Sequence, residues 1–139
     1  MNVKIDTHAL NTMHQHATEA FPNECCGFMY GSDGNERIIS LARPVINSKD
    51  GDQRRRFEIS AFDYMKAEQY AMENNTTLLG VYHSHPQHPA IPSEHDRKQA
   101  MPWFSYVIVS VMNGTVDHTR SWRLNEEKQF DEEALEIPV

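Results

Sequence analysis

Gly80-Val-Tyr-His-Ser-His-Pro-Gln-His-Pro-Ala-Ile-Pro-Ser-Glu-His-Asp96 is the stretch around which the rest of the chain can be read as support. His83 and His85 are two residues apart, so in an extended strand their side chains share a face and both imidazoles can reach one ion. Leu78 to Tyr82 leads in as a short apolar run, the pattern of a buried strand. Pro86, Pro89 and Pro92 stiffen the loop that follows, each fixing its own φ. Ser93-Glu-His-Asp96 then reads as a helix start, with Asp96 in the first turn. Two imidazoles and one carboxylate make three zinc ligands. A fourth position open to water is what separates a catalytic zinc site from a closed structural one.

Ser93 and Asp96 also satisfy the S-x-x-[DE] capping box, which needs no metal. Taken singly, each residue fits that plainer reading. Together they spell H-x-H, seven residues, S, two residues, D, a long pattern whose strand–loop–helix context is also predicted. These residues resemble the JAMM (MPN+) zinc metallopeptidases, whose signature is an upstream glutamate followed by H-[ST]-H-x7-S-x2-D. His83-Ser84-His85, Ser93 and Asp96 match it. The upstream glutamate is similar to Glu24, in Pro22-Asn-Glu-Cys-Cys-Gly-Phe-Met-Tyr-Gly31. Arg56 to Tyr64 and the closing strands around Trp122-Arg-Leu124 also resemble the small prokaryotic members, so the likeness spans nearly the whole chain.

The chain has 139 residues, the size of a single domain over 1–139, with a formal charge of -7. Glu126, Glu127, Asp131, Glu132, Glu133 and Glu136 crowd one end. A nucleic-acid binder would show a basic face, and the one basic run, Arg54-Arg-Arg56, reads as a solvated loop. No membrane-length apolar run and no signal-peptide core is present, which points to the cytoplasm. Cys25 and Cys26 are adjacent, a spacing that disfavours a disulfide between them, so both are expected as reduced thiols. Strand alternation would turn one to the core and the other to the Glu24 side.

Taken in order, Asp6 or Thr7 caps a first helix, with Ala9, Leu10, Met13, Ala17, Ala20 and Phe21 on one arc. His8, His14 and His16 fall outside or at the edge of that arc and are expected in solvent. Glu24–Tyr30 and Arg37–Val45 read as strands around a Gly31–Gly34 turn, with Pro44 marking an edge or an end. Asn47–Gln53 is a loop, Arg56–Ile59 a short strand, and Ser60 opens a second helix running to about Asn74. After the central strand comes a short helix from Ser93, ending before Pro102. Ser105–Met112 reads as a buried strand, Asn113-Gly114 as a hairpin turn, and Asp117–Leu124 as the return. Phe130, Leu135, Ile137 and Val139 could form an edge strand or a docked tail. The order predicts an α/β (α+β type) architecture, a mixed sheet flanked by helices. The resemblance implies a curved, mostly antiparallel sheet with a long helix on each side.

The resemblance further implies one Zn2+ per chain on His83, His85 and Asp96. Glu24 would move protons between water and the leaving amine, and Ser93 would donate to the developing oxyanion. Ser84 should point to the opposite strand face, in packing or a local hydrogen bond. His88 and His95, outside the motif, could line the cleft, but both are expected to be exposed. The implied substrate is an amide or isopeptide bond after the C-terminal Gly-Gly tail of a ubiquitin-like sulfur-carrier protein. Two other classes stand beside it. One is a catalytically inactive MPN interaction module, against which every motif position is filled. The other is a zinc hydrolase such as a nucleoside deaminase, which would want H-x-E and P-C-x-x-C, both lacking here.

Overall fold

A computed structural model of the chain describes residues 2–137, and Val139 lies outside them. Seven strands and three helices follow in the order β1 (Asn2–Ile5), α1 (Thr7–Ala20), β2 (Cys26–Asp33), β3 (Arg37–Val45), α2 (Ala61–Glu73), β4 (Thr77–Pro86), α3 (Glu94–Gln99), β5 (Ser105–Met112), β6 (Thr115–Leu124) and β7 (Phe130–Glu136). The strands hydrogen-bond in the order β1-β3-β2-β4-β5-β6-β7, and β7 pairs back onto β1, so the sheet closes. The expected mixed character is present: β4–β5, β1–β3 and β1–β7 are parallel and the remaining pairs antiparallel.

Closure takes the expected curved sheet a step further. It depends on β1, four residues too short for a periodicity signal, which bridges β3 and β7 in parallel on both sides. The last strand therefore links two neighbours, Phe130–Glu133 pairing with β6 and Ala134–Glu136 with β1. Pro44 does mark an end. β1 pairs with β3 only at Arg37–Ile39, well before the proline whose missing N–H would break a ladder. Arg56–Ile59 is not a strand. Its backbone bonds run instead to the loop before it, with Glu58 N–H donating to the Asn47 side chain and the Glu58 carbonyl accepting from Ser48 N–H.

Side-chain alternation gives β2, β4 and β5 two buried faces. Met29, Leu79, Tyr82, Val107 and Val109 pack toward Ala9, Leu10, Met13 and Ala17 of α1. Phe28, Tyr30, Leu78, Val81 and Tyr106 pack on the other side, with Ala67 and Ala71 of α2. A helix on each face is thus explained by strands apolar on both faces; a Leu or Met buried in this way contributes roughly 1.5–3 kcal/mol. Both helices carry the caps their sequences offer: Asp6 accepts from Ala9 N–H and Ser60 from Asp63 N–H. At Gly80 the parallel partner comes so close that a Cβ would lie 1.8 Å from the Ser105 carbonyl oxygen. That approach sets β4 against β5 just before His83.

Of the α1 histidines, His8 is exposed as expected, but His14 and His16 are not simply solvated. His14 Nε2 lies 2.8 Å from Thr119 Oγ1 on β6, and His16 Nδ1 lies 2.8 Å from the hydroxyl of buried Tyr82. Polar groups on β4 and β6 reach the helix edge and claim them. Both cysteines are free and buried, Cys25 in the α1-side core and Cys26 toward the Val45 carbonyl. Among the described residues no helix is long and apolar enough to cross a membrane.

Candidate metal centre

β4 delivers His83 and His85 to one face, both buried, at the end of the strand where the chain leaves the sheet. α3 delivers the third group. Ser93 Oγ accepts from Asp96 N–H at 3.0 Å, and Asp96 Oδ2 accepts from Ser93 N–H at 2.9 Å, a full capping box. The cap and the ligand reading therefore coexist, because the box holds the Asp96 carboxylate facing β4. His83 Nε2 and His85 Nε2 are 3.1 Å apart, and Asp96 Oδ2 lies 3.3 and 3.2 Å from them.

The donor chemistry of this cluster fits a cation. His85 Nδ1 is 2.8 Å from the Pro89 carbonyl oxygen, which can only accept, so Nδ1 carries the hydrogen. In the neutral ring the Nε2 lone pair then faces the other imidazole and a carboxylate. Three electron-pair donors, all within 4.8 Å of one another, converge on one point. Such a set could hold a metal ion, and the Nδ1–H to carbonyl bond is how ligating histidines have their tautomer set. His83 has no such partner for Nδ1. Its ring is held by stacking on Phe57, centroids 4.5 Å apart and planes 30° apart.

Burial disfavours the Asp96 anion, but His83 and His85 outweigh it and hold the carboxyl well below its usual range. Burial keeps His83 low. It also acts to lower His85, yet the bonds to Asp96 and Pro89 win and the net shift is upward.

Glu24 arrives by strand pairing. Cys26 is opposite His83, and continuing that antiparallel register sets Glu24 opposite His85. Ser84, between the histidines, points away from the cluster and fixes the pairing, its Oγ accepting from Cys25 N–H at 2.8 Å. Glu24 is 5 % exposed, and burial pushes its pKa up to about 8 against the opposing pull of His85. A carboxyl titrating that close to neutrality can both accept and give a proton.

Two clefts flank the cluster. One, about 340 Å³, is walled by Phe57, Ile59, Tyr64, Met101 and Tyr106 beside His83 and Asp96. The other, about 360 Å³, brings Glu24, His85 and Ser93 together with Arg55, His88, Pro89 and Ile91. His88 is exposed and lines that second cleft. His95 departs from expectation: its Nε2 is buried, its Nδ1 faces the Arg56 guanidinium at 2.6 Å, and it lines the first cleft. Phe57 and the Pro89 carbonyl had no sequence signal as site residues, because only folding places their loops beside the histidines.

Two imidazoles and a carboxylate around one point, with a high-pKa glutamate alongside, are the groups of a metal-dependent hydrolase. The chain belongs to the prokaryotic homologs of the JAB domain, whose family model matches residues 6–125. It is similar to the desampylase of Pyrococcus furiosus, 28% identical over 78% of this chain and 72% of that protein. It is also similar to the CysO-cysteine peptidase of Mycobacterium tuberculosis, 28% identical over 83% of this chain and 77% of that one. A solution structure from Desulfitobacterium hafniense superposes with a TM-score of 0.85 at 28% identity, covering 98% of this chain and 92% of that one. The family, these relatives and the donor set make the chain a hydrolase.

Proposed function

We propose that the chain is a single-domain, cytoplasmic zinc peptidase that hydrolyses the amide bond after the Gly-Gly tail of a ubiquitin-like sulfur-carrier protein. The observation that carries this reading is the convergence of His83, His85 and Asp96 beside the cleft that holds Glu24 and Ser93. The relatives' names, a desampylase and a CysO-cysteine peptidase, support the substrate class.

His83 Nε2, His85 Nε2 and Asp96 would hold one zinc ion. Bound there, zinc supplies Lewis acidity, making water a stronger acid and a carbonyl a better electrophile. Glu24 takes the proton of the attacking water. Its buried carboxyl keeps enough basicity for that, and enough acidity once protonated to pass the proton to the departing amine nitrogen. Ser93 Oγ already accepts from Asp96 N–H, which leaves its hydroxyl hydrogen free to donate to the carbonyl oxygen as negative charge builds. The Nδ1–H bond to Pro89 fixes the tautomer, so in the neutral ring His85 presents its lone pair at Nε2.

The test combines metal analysis with mass spectrometry of carrier proteins extended beyond Gly-Gly, incubated with the chain. The expected result is one zinc per chain and a mass loss that ends at the second glycine. Intact carrier after incubation with zinc-loaded protein would instead support an interaction module. Full zinc occupancy in the His83→Ala, His85→Ala double variant would overturn the ligand set.

A further inference from the structure

The run Arg54-Arg55-Arg56 is not one uniform solvated patch. Arg54 is tied to Asp52 through two bonds, Nε to Oδ1 at 3.0 Å and Nη2 to Oδ2 at 3.1 Å, which engage both carboxylate oxygens. Arg56 faces the His95 ring at 2.6 Å. Arg55, between them, makes no hydrogen bond and no ion pair with any described residue. It lines the cleft that contains Glu24, His85 and Ser93. Its charge reaches Asp52, but Arg54 already holds both oxygens of that carboxylate, so the Arg55 guanidinium, in the cleft with Glu24, is placed to meet an anion on the leaving group.

Building on the peptidase reading above, we propose that Arg55 binds the free α-carboxylate of the leaving residue, making the site selective for release of one C-terminal amino acid. Hydrolysis breaks the amide C–N bond. The water oxygen joins the carbonyl carbon, and the proton taken by Glu24 goes to the departing nitrogen. That nitrogen therefore leaves on the Glu24 side, the side where Arg55 stands. In a C-terminal residue the carboxylate is attached one carbon from the same nitrogen, so both are bound within one small cleft. At about 360 Å³ the cleft falls at the low end for small-ligand sites, a size that suits a single residue. Pro89 and Ile91, the latter 52% exposed, offer an apolar wall to its side chain. Arginine is the residue that matches a carboxylate with two parallel N–H donors, a geometry lysine lacks.

The experiment compares two forms of one carrier, each extended by a single alanine after Gly-Gly: the free acid and the C-terminal amide. A charge-assisted bond to the carboxylate predicts that the zinc-loaded protein prefers the free acid by about 10- to 100-fold in kcat/KM. In Arg55→Gln the ratio should collapse to near one, and in Arg55→Lys it should be intermediate. Free alanine should inhibit the unaltered protein competitively and Arg55→Gln much less. Equal cleavage of acid and amide by the unaltered protein overturns the assignment, as does an undiminished ratio in Arg55→Gln, while leaving the peptidase reading in place. Cleavage of neither form by zinc-loaded protein removes the peptidase reading, and the assignment falls with it.

Discussion

Ser84 and Cys25 exchange two hydrogen bonds, Ser84 Oγ accepting from Cys25 N–H at 2.8 Å and the Cys25 carbonyl accepting from Ser84 N–H at 3.1 Å. Ser84 stands between His83 and His85, and Cys25 follows Glu24. This contact holds the strand register that sets Glu24 opposite His85. Ser84→Ala should leave a buried Cys25 N–H without its partner and cost about 1–3 kcal/mol. Zinc content should stay normal while turnover falls, because Glu24 loses its alignment. Urea melts and metal analysis on one preparation check this; a variant with normal turnover would mean that the backbone bond suffices.

Glu24 and Ser93 should separate from the ligands in variants that keep the metal. Glu24→Gln preserves size and removes basicity, so turnover should drop roughly 10²–10⁴-fold or more with zinc retained. Ser93→Ala should also keep zinc and lose about 10²–10³-fold, the range of one oxyanion donor. It should further lose about 1 kcal/mol of stability, as a helix cap does. Near-normal turnover in Glu24→Gln would remove the proton-transfer scheme.

The raised pKa of Glu24 predicts a pH dependence in metal-free protein. The group goes from an ordinary value near 4.5 to about 8 on folding. Its contribution is therefore fully present below about 4.5 and lost as pH rises through about 8. Glu24→Gln has no such loss. Compared by thermal melts in chelator, the variant should be the more stable form at pH 8, on the order of a few kcal/mol, and the gap should close toward pH 5. A gap independent of pH would show that Glu24 ionises freely in the fold. The chelated protein should itself stay folded by circular dichroism, since two apolar clusters support the sheet without the cluster residues.

Cys25 and Cys26 should resist alkylation in the native state. Burial pushes the Cys25 thiol up to about 11 and Cys26 higher still, and the thiolate is the reactive form. Iodoacetamide at pH 8 should modify neither without denaturant, and both in urea. Rapid native labelling of Cys25 would mean that the strand carrying Glu24 opens locally.

The donor residues were legible because their chemistry is local in sequence. His83 and His85 share a face through the two-residue period of a strand, and Ser93 and Asp96 declare a helix start through their spacing. The buried strands β4 and β5 were likewise written in the apolar run Leu78–Tyr82 and the valine-rich run Ser105–Met112. Glu24 was a different case, indistinguishable from other glutamates except by family likeness, since strand pairing over some 60 residues is what carries it to His85. The same holds for Phe57 against His83 and the Pro89 carbonyl against His85. It also holds for the closure of the sheet by β1, which is too short for its apolar pattern to register. The amino-acid sequence by itself determined which groups can bind a metal and on which elements they ride. Tertiary structure alone decided which glutamate, which aromatic ring and which of three consecutive arginines stand beside them. The physical reason is that periodicity acts over a few residues, whereas these neighbours meet through strand pairing and loop packing between distant segments.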